Sequence, residues 1–312
     1  MGLGFNIYAR LACAVLLMSL TGINLAPALG LPSKKPLSKD WQLIAASNII
    51  ARAKIDAPLK IINKMQASKN SDYINLRVTI HELAKGEVEK TPLTVREYLG
   101  FDWFARRPSA MGKLIGKEVL VFLFYVDEPG SEGIYFAGQN LAAVRTFDKQ
   151  VLQTVKREVM NQRQIVEHFQ EFPIANADSS DKSVRALLSQ LTVEKTHEEA
   201  WTNLLKLPNS SAAALIRAMD DERLMGHFEI EIPVPPGPHR FEEIAHYGPK
   251  TILDAVSILL EDKTTGSFGQ ISNGGSERER HTVLNAWKVW AYYNLPAGTN
   301  VMVKRGKDGN PK

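Results

Sequence analysis

The sequence contains a single cysteine, Cys13, among 312 residues. One thiol excludes an internal disulfide, which needs two cysteines, and a zinc site built from several thiolates. The composition also lacks the signatures of a disordered or collagen-like chain, since 44% of the residues are hydrophobic and 23% are charged. The chain is therefore expected to form globular units held by packing alone, and its length predicts two domains.

The first 28 residues carry a targeting pattern. Arg10 precedes a mainly apolar stretch over residues 11–20, and Ala26-Pro27-Ala28 then provides a small-x-small site. This arrangement predicts a secretory signal peptide over residues 1–28 and a periplasmic or secreted protein. An uncleaved membrane anchor is the alternative, but the apolar run is short for the roughly 20 residues that span a bilayer. Cleavage would remove Cys13, so we expect neither thiol chemistry nor a stable membrane span in the mature chain.

The basic charge is concentrated near the two ends of the sequence. Residues 1–40 and residues 296–312 each contain four basic and one acidic side chain, whereas residues 173–295 contain 12 basic and 17 acidic side chains. A nucleic-acid-binding protein needs its lysines and arginines on one folded face. Nucleic-acid binding is therefore not expected.

Residues 41–172 show mostly strand-like patterning. Residues 73–82 alternate polar and apolar side chains, and residues 119–126 form a continuous apolar run that is typical of a strand covered on both faces. With turns at Lys85-Gly86 and Gly116-Lys117, the pattern predicts a small antiparallel β-barrel. A helix with Asp148 as its N-cap is expected to end this domain.

The order of these features resembles the netrin-like and tissue-inhibitor type of OB barrel. The stretches that carry the resemblance are Asn48–Lys54, Leu76–Gly86 and Gly116–Phe124. The resemblance implies an OB-like fold. It does not imply protease inhibition, because those families rely on cysteines that this chain lacks.

Residues 181–295 show helical periodicity after a predicted linker at 173–180. Thr196 with Glu199, and Ser276 with Glu279, match the capping-box pattern at two helix starts. The first pair of short helices resembles a HEAT-type repeat, which implies an all-α domain that presents a surface to a partner. A mobile lead over 29–40 and a basic tail over 296–312 complete the predicted organisation of an α+β chain.

The densest group of polar side chains begins at the end of a proline-rich stretch at 226–240. It contains His239, Glu242, Glu243, His246 and Asp254, with His281 further along the chain. On a helix Glu243 and His246 would share a face, which is the minimum for acid–base or metal chemistry. The zinc pattern H-E-x-x-H is absent, and we predict no metal and no cofactor. Plain packing at a helix end is the alternative for His246.

A second candidate site combines aromatic and cationic groups at Trp103, Arg106 and Arg107. Such a loop can meet an acidic partner, although charge of this kind also simply solvates a loop. Taken together, the features predict a non-catalytic interaction module that binds a protein partner in the cell envelope through Trp103, Arg106, Arg107, His239 and His246. The rival hypothesis is a metal-dependent or acid–base hydrolase that uses His246, Glu243 and His281.

Overall fold

A computed structural model describes residues 32–59, 71–101, 111–125, 134–137, 143–226, 229–233, 244–264, 266–269 and 271–296. These residues form a mixed α+β structure, in which a curled β-sheet from the first half of the chain accompanies a set of helices. The prediction of an α+β chain with a barrel-like sheet and several helices is confirmed at this level.

The sheet contains six strands, and a separate hairpin contains two more. The strands are β1 (Ile49–Leu59), β2 (Ser71–Lys85), β3 (Leu93–Phe101), β4 (Glu118–Tyr125), β5 (Ile134–Ala137), β6 (Val144–Thr146), β7 (Ile230–Pro233) and β8 (Ile244–Tyr247). The helices are α1 (Trp41–Ala46), α2 (Lys149–Glu167), α3 (Ser179–Gln190), α4 (His197–Leu205), α5 (Ala212–Arg217), α6 (Ile252–Lys263) and α7 (Glu277–Asn294). Short 3₁₀ helices lie at Gly112–Leu114, Phe169–Glu171, Pro173–Ala175 and Asn209–Ser211.

The sheet curls because β1 pairs with two strands, β2 on one edge and β4 on the other. Strand β2 continues to β3, and β4 pairs with both β5 and β6. All of these pairs are antiparallel, whereas β3 and β5 run parallel. The prediction of a wholly antiparallel sheet is therefore corrected at this one pair.

Alternate residues of each strand fill the inside of the curl. In β1 these are Ile49, Ala51, Ala53 and Ile55, all fully buried together with partners from β2, β3 and β4. The period of two follows from the strand geometry, since successive side chains point to opposite faces. Small alanines at two of these positions leave room for the larger side chains across the curl.

Strand β4 is buried on both faces, as its continuous apolar run predicts. Val119, Val121 and Leu123 point into the curl, while Leu120 and Phe122 pack outward. The outward residues contact helix α2, which begins at the predicted N-cap: the Asp148 carboxylate accepts hydrogen bonds from Gln150 N and Val151 N. This cap and this packing place α2 against the outer face of the sheet.

The later helices surround α6, which is apolar on almost every side. Its residues Ile252–Leu260 are all buried, and they share a core with Trp201, Leu215 and Trp287 of the neighbouring helices. A helix that is hydrophobic all round lies in the interior. The same core includes Ala45 of α1, so the helices and the region beside the sheet share buried contacts.

Two helix starts differ from the sequence prediction. Thr196 precedes α4, but its hydroxyl donates to Gln190 O at 2.9 Å instead of capping the helix. Helix α6 begins at Ile252, where Thr251 and Asp254 form a capping box that the sequence analysis missed. The Ser276–Glu279 capping box of α7 is confirmed.

The described residues of the predicted lead and linker make contacts with the helices. Ser33 and Leu37 of the lead donate backbone hydrogen bonds to side chains of α2. Within the linker, Ile174 is buried and Asp178 caps α3 by accepting from Ser180 N at 2.8 Å.

Candidate functional site

A cleft of about 960 Å³ lies where the end of β2 meets helices α1, α2 and α7. Its lining residues come from four separate segments of the chain. They are Ala45, Ser47, Asn48, Leu83, Ala84, Lys85, Gly86, Val159, Gln162, Arg163, Val166, Glu167, Glu277, Arg278, His281, Thr282, Asn285, Ala286 and Val289.

The floor of the cleft is apolar. Leu83 is 39% exposed although it is a large hydrophobic side chain, and Val159 and Val166 are half-buried beside it. The last two residues project from α2, because a spacing of seven keeps them on one helix face. Exposed apolar surface inside a concave site is the usual basis of ligand or partner binding.

Polar groups form the rim, and most of them have a partner. Arg163 Nε donates to Glu167 Oε1 at 2.7 Å, and the Arg278 guanidinium lies 4.5 Å from the centre of the Tyr125 ring. On α7, Asn285 Nδ2 lies 3.2 Å from His281 Nδ1. The Oδ1 atom of Asn285 differs from the others, because it is buried and has no hydrogen-bond partner among the described residues.

Lys85 closes the inner end of the cleft. Its Nζ donates to Ile44 O at 2.6 Å and to Ala45 O at 3.0 Å, which are carbonyls in the last turn of α1. Burial lowers the pKa of Lys85 to about 8. The two hydrogen bonds commit the amine to the end of α1.

Asn48 joins two walls of the cleft, which are the sheet and helix α7. Its Nδ2 donates to Thr282 Oγ1 of α7 at 2.9 Å, and its Oδ1 accepts from Tyr125 N of β4 at 2.8 Å. One carboxamide thus joins the sheet to α7.

His246 does not line the cleft, and it lies in a strand where the sequence predicts a helix. Residues 244–247 form strand β8, so the helical spacing predicted for Glu243 and His246 is wrong. His246 Nδ1 lies 3.3 Å from Glu229 Oε1 and 3.7 Å from Glu231 Oε1, all on exposed side chains. His281, by contrast, lies on α7 and lines the cleft.

Asp254, another member of the polar group identified in the sequence, has a structural role. Its carboxylate is fully buried and accepts from Arg280 Nε at 2.8 Å and Arg280 Nη2 at 2.9 Å. It also accepts from the backbone N–H groups of Lys250 and Thr251, each at 3.0 Å. These four donors fix the start of α6 against α7 and leave no free carboxylate for chemistry.

Several predicted site residues lie outside the described residues: Trp103, Arg106, Arg107, His239 and Glu243. Sequence reasoning in turn missed the cleft. The available signal was the polar series His281, Thr282 and Asn285 on a helix whose other face is apolar. Their partners across the cleft come from distant segments, which a single sequence does not connect.

Within the described ranges, no three His, Cys, Asp or Glu side chains converge in a way that could hold a metal ion. No helix of the described part of the chain has the length and apolar character to cross a membrane. No family model, no curated protein and no solved structure matches this chain.

Proposed function

We propose that this protein is an exported, non-catalytic interaction module that binds a protein partner of the cell envelope in the cleft between β2, α2 and α7. The observation that carries the proposal is the apolar floor of the cleft, where Leu83 is 39% exposed and is surrounded by polar side chains. Concave apolar surface with a few polar groups around it is the usual form of a binding site. The floor would accept an apolar side chain of the same partner beside Leu83.

Two cationic groups of the cleft are already engaged within the fold, which favours binding over catalysis by either of them. Lys85 is engaged with two carbonyls of α1, and Arg163 is engaged with Glu167. General acid–base catalysis needs a titratable group that is free to reach the substrate's proton. The described cleft residues supply instead the mixture of apolar core and polar rim that is typical of protein interfaces.

We further infer that the two parts of the molecule correspond to an OB-type barrel and a HEAT-like helical array. The circuit of pairings β1–β2–β3–β5–β4–β1, with β3 parallel to β5, supports the OB assignment. The packing of α3 against α4 and α5 supports the helical array. OB barrels and helical arrays both act mainly by presenting a surface.

A pull-down of envelope proteins with the chain from residue 29 tests the proposal. Leu83→Asp places a charge on the apolar floor, so we expect recovery of the partner to fall at least tenfold. Val193→Asp is the matched control, because Val193 is 49% exposed and lies outside the cleft.

Export is tested separately, by sequencing the N-terminus of the mature protein. We expect the first residue to be residue 29.

Two results would contradict the proposal. One is equal recovery of every partner by the Leu83→Asp and Val193→Asp variants. The other is hydrolysis of an ester, phosphate or glycoside substrate that His246→Ala abolishes while the fold is retained, which would favour the hydrolase instead.

A further inference from the structure

The segment 32–37 lies in a groove between α2 and α7 whose four defining residues do not line the cleft. We define this groove by four residues: Glu158 and Asn161 from α2, and Tyr292 and Tyr293 from α7. The segment belongs to no helix or strand. It is held by side chains that contact mostly its main chain.

The groove side chains recognise the backbone of the segment at four atoms. Asn161 accepts from Ser33 N at 2.6 Å through Oδ1 and donates to Ser33 O at 3.3 Å through Nδ2. Tyr292 Oη donates to Pro32 O at 2.8 Å, and Glu158 Oε2 accepts from Leu37 N at 2.6 Å. A side chain that pairs both backbone groups of one residue acts on a peptide as a neighbouring strand would.

The polar floor of the groove is buried and internally connected. Glu158 is fully buried, and its Oε1 accepts from Tyr293 Oη at 2.7 Å and from Gln162 Nε2 at 2.8 Å. Asn161 Nδ2 also donates to Tyr293 Oη at 2.8 Å. Buried polar groups are stable only when they are paired. Asn161 Oδ1 and Glu158 Oε2 accept hydrogen bonds from backbone N–H groups of the segment, so the groove is built around a peptide.

One position of the groove selects a lysine. Lys34 Nζ donates to Tyr292 O and, at 3.3 Å, to Leu295 O at the end of α7, and it lies 4.6 Å from the centre of the Tyr292 ring. The carbonyls at a helix C-terminus carry partial negative charge, and an aromatic face attracts a cation. A lysine therefore gains two favourable interactions that a neutral side chain lacks.

We propose that this groove is a binding site for a lysine-bearing peptide, which the chain's own segment 32–37 fills in cis and the same segment of a second copy can fill in trans. The tether gives the cis segment an effective concentration of about millimolar. An untethered peptide therefore binds measurably only when the cis segment is weakened.

A labelled peptide of residues 32–39 tests this exchange by fluorescence anisotropy. The receptor is the chain from residue 29 carrying Ser33→Pro and Lys34→Ala, which remove the donor to Asn161 and the cation. We expect this receptor to bind the peptide at least tenfold more tightly than the unsubstituted chain does. Adding Asn161→Ala to it should weaken binding at least tenfold, whereas adding Asn209→Ala, an exposed position elsewhere, should not.

A peptide carrying the same two substitutions is the ligand control and should not bind. Lys34→Ala alone, a milder change, should give an intermediate affinity with circular dichroism unchanged. Absence of binding by a folded receptor, or binding that Asn161→Ala leaves intact, would overturn the proposal. Failure of both receptor variants to fold would also overturn it, because the segment would then be a fixed structural strap. None of the substituted residues lines the cleft, so the result is independent of the proposed function.

Discussion

At the scale of single residues, the Asp254–Arg280 pair shows how a buried charge can hold two helices together. Arg280→Met would leave the fully buried Asp254 carboxylate without its charged partner. We expect a loss of about 3–5 kcal/mol in the free energy of unfolding, measured by chemical denaturation. Arg278→Met, on the exposed side of the same helix, is the control and should cost less than about 1 kcal/mol. Equal losses of unfolding free energy in the two variants would show that the Asp254–Arg280 pair does not stabilise the fold.

Lys85 predicts a specific dependence of stability on pH. Burial lowers its pKa to about 8, so the folded protein releases this proton before the unfolded chain does. Between about pH 8 and 10.5 the unfolded state binds more protons, and stability therefore rises with pH by up to about 3 kcal/mol from this group. Because other lysines titrate in the same range, the quantity to measure is the difference in unfolding free energy between the parent and Lys85→Met. That difference should move in favour of the parent between pH 7 and pH 10.5, and a constant difference would contradict the prediction.

At the scale of elements, the end of β2 depends on Gly86. Its φ is +82°, and a Cβ atom there would lie 2.2 Å from Asn48 O. Gly116 has nearly the same φ, +79°, but a Cβ atom there would meet nothing within 4 Å. We expect Gly116→Ala to cost about 1 kcal/mol from backbone strain, and Gly86→Ala to cost at least about 2 kcal/mol more from the clash. Thermal or chemical unfolding measures both, with Gly226→Ala as the neutral control; similar costs at Gly86 and Gly116 would refute the argument.

Some of the helices and strands could be predicted from the sequence, and others could not. Strands β1, β2 and β4 and the start of α2 were predictable, because alternation, a continuous apolar run and the Asp148 cap are local signals. Thr196 failed as a cap because the preceding turn offers its hydroxyl the Gln190 carbonyl, a contact that no local pattern reveals. The expected helix around His246 is a strand because Ile230–Pro233 pairs with it, and Glu231, the partner of His246, lies fifteen residues earlier in the chain. The cleft was missed for the same reason, since its walls meet only in the folded chain.

At the scale of the whole molecule, the carboxamide of Asn48 and the shared core around Ala45 join the sheet to the helices. We therefore expect one cooperative transition, in which far-UV circular dichroism and tryptophan fluorescence give the same denaturation midpoint. Asn48→Ala removes hydrogen bonds to Thr282 and Tyr125 and should lower the unfolding free energy by about 2 kcal/mol. Asn209→Ala, at an exposed position, should leave it within about 0.5 kcal/mol. Two separate midpoints in the parent protein would mean that the sheet and the helices fold independently, and the cleft between them would then lack the rigid walls that its proposed partner needs.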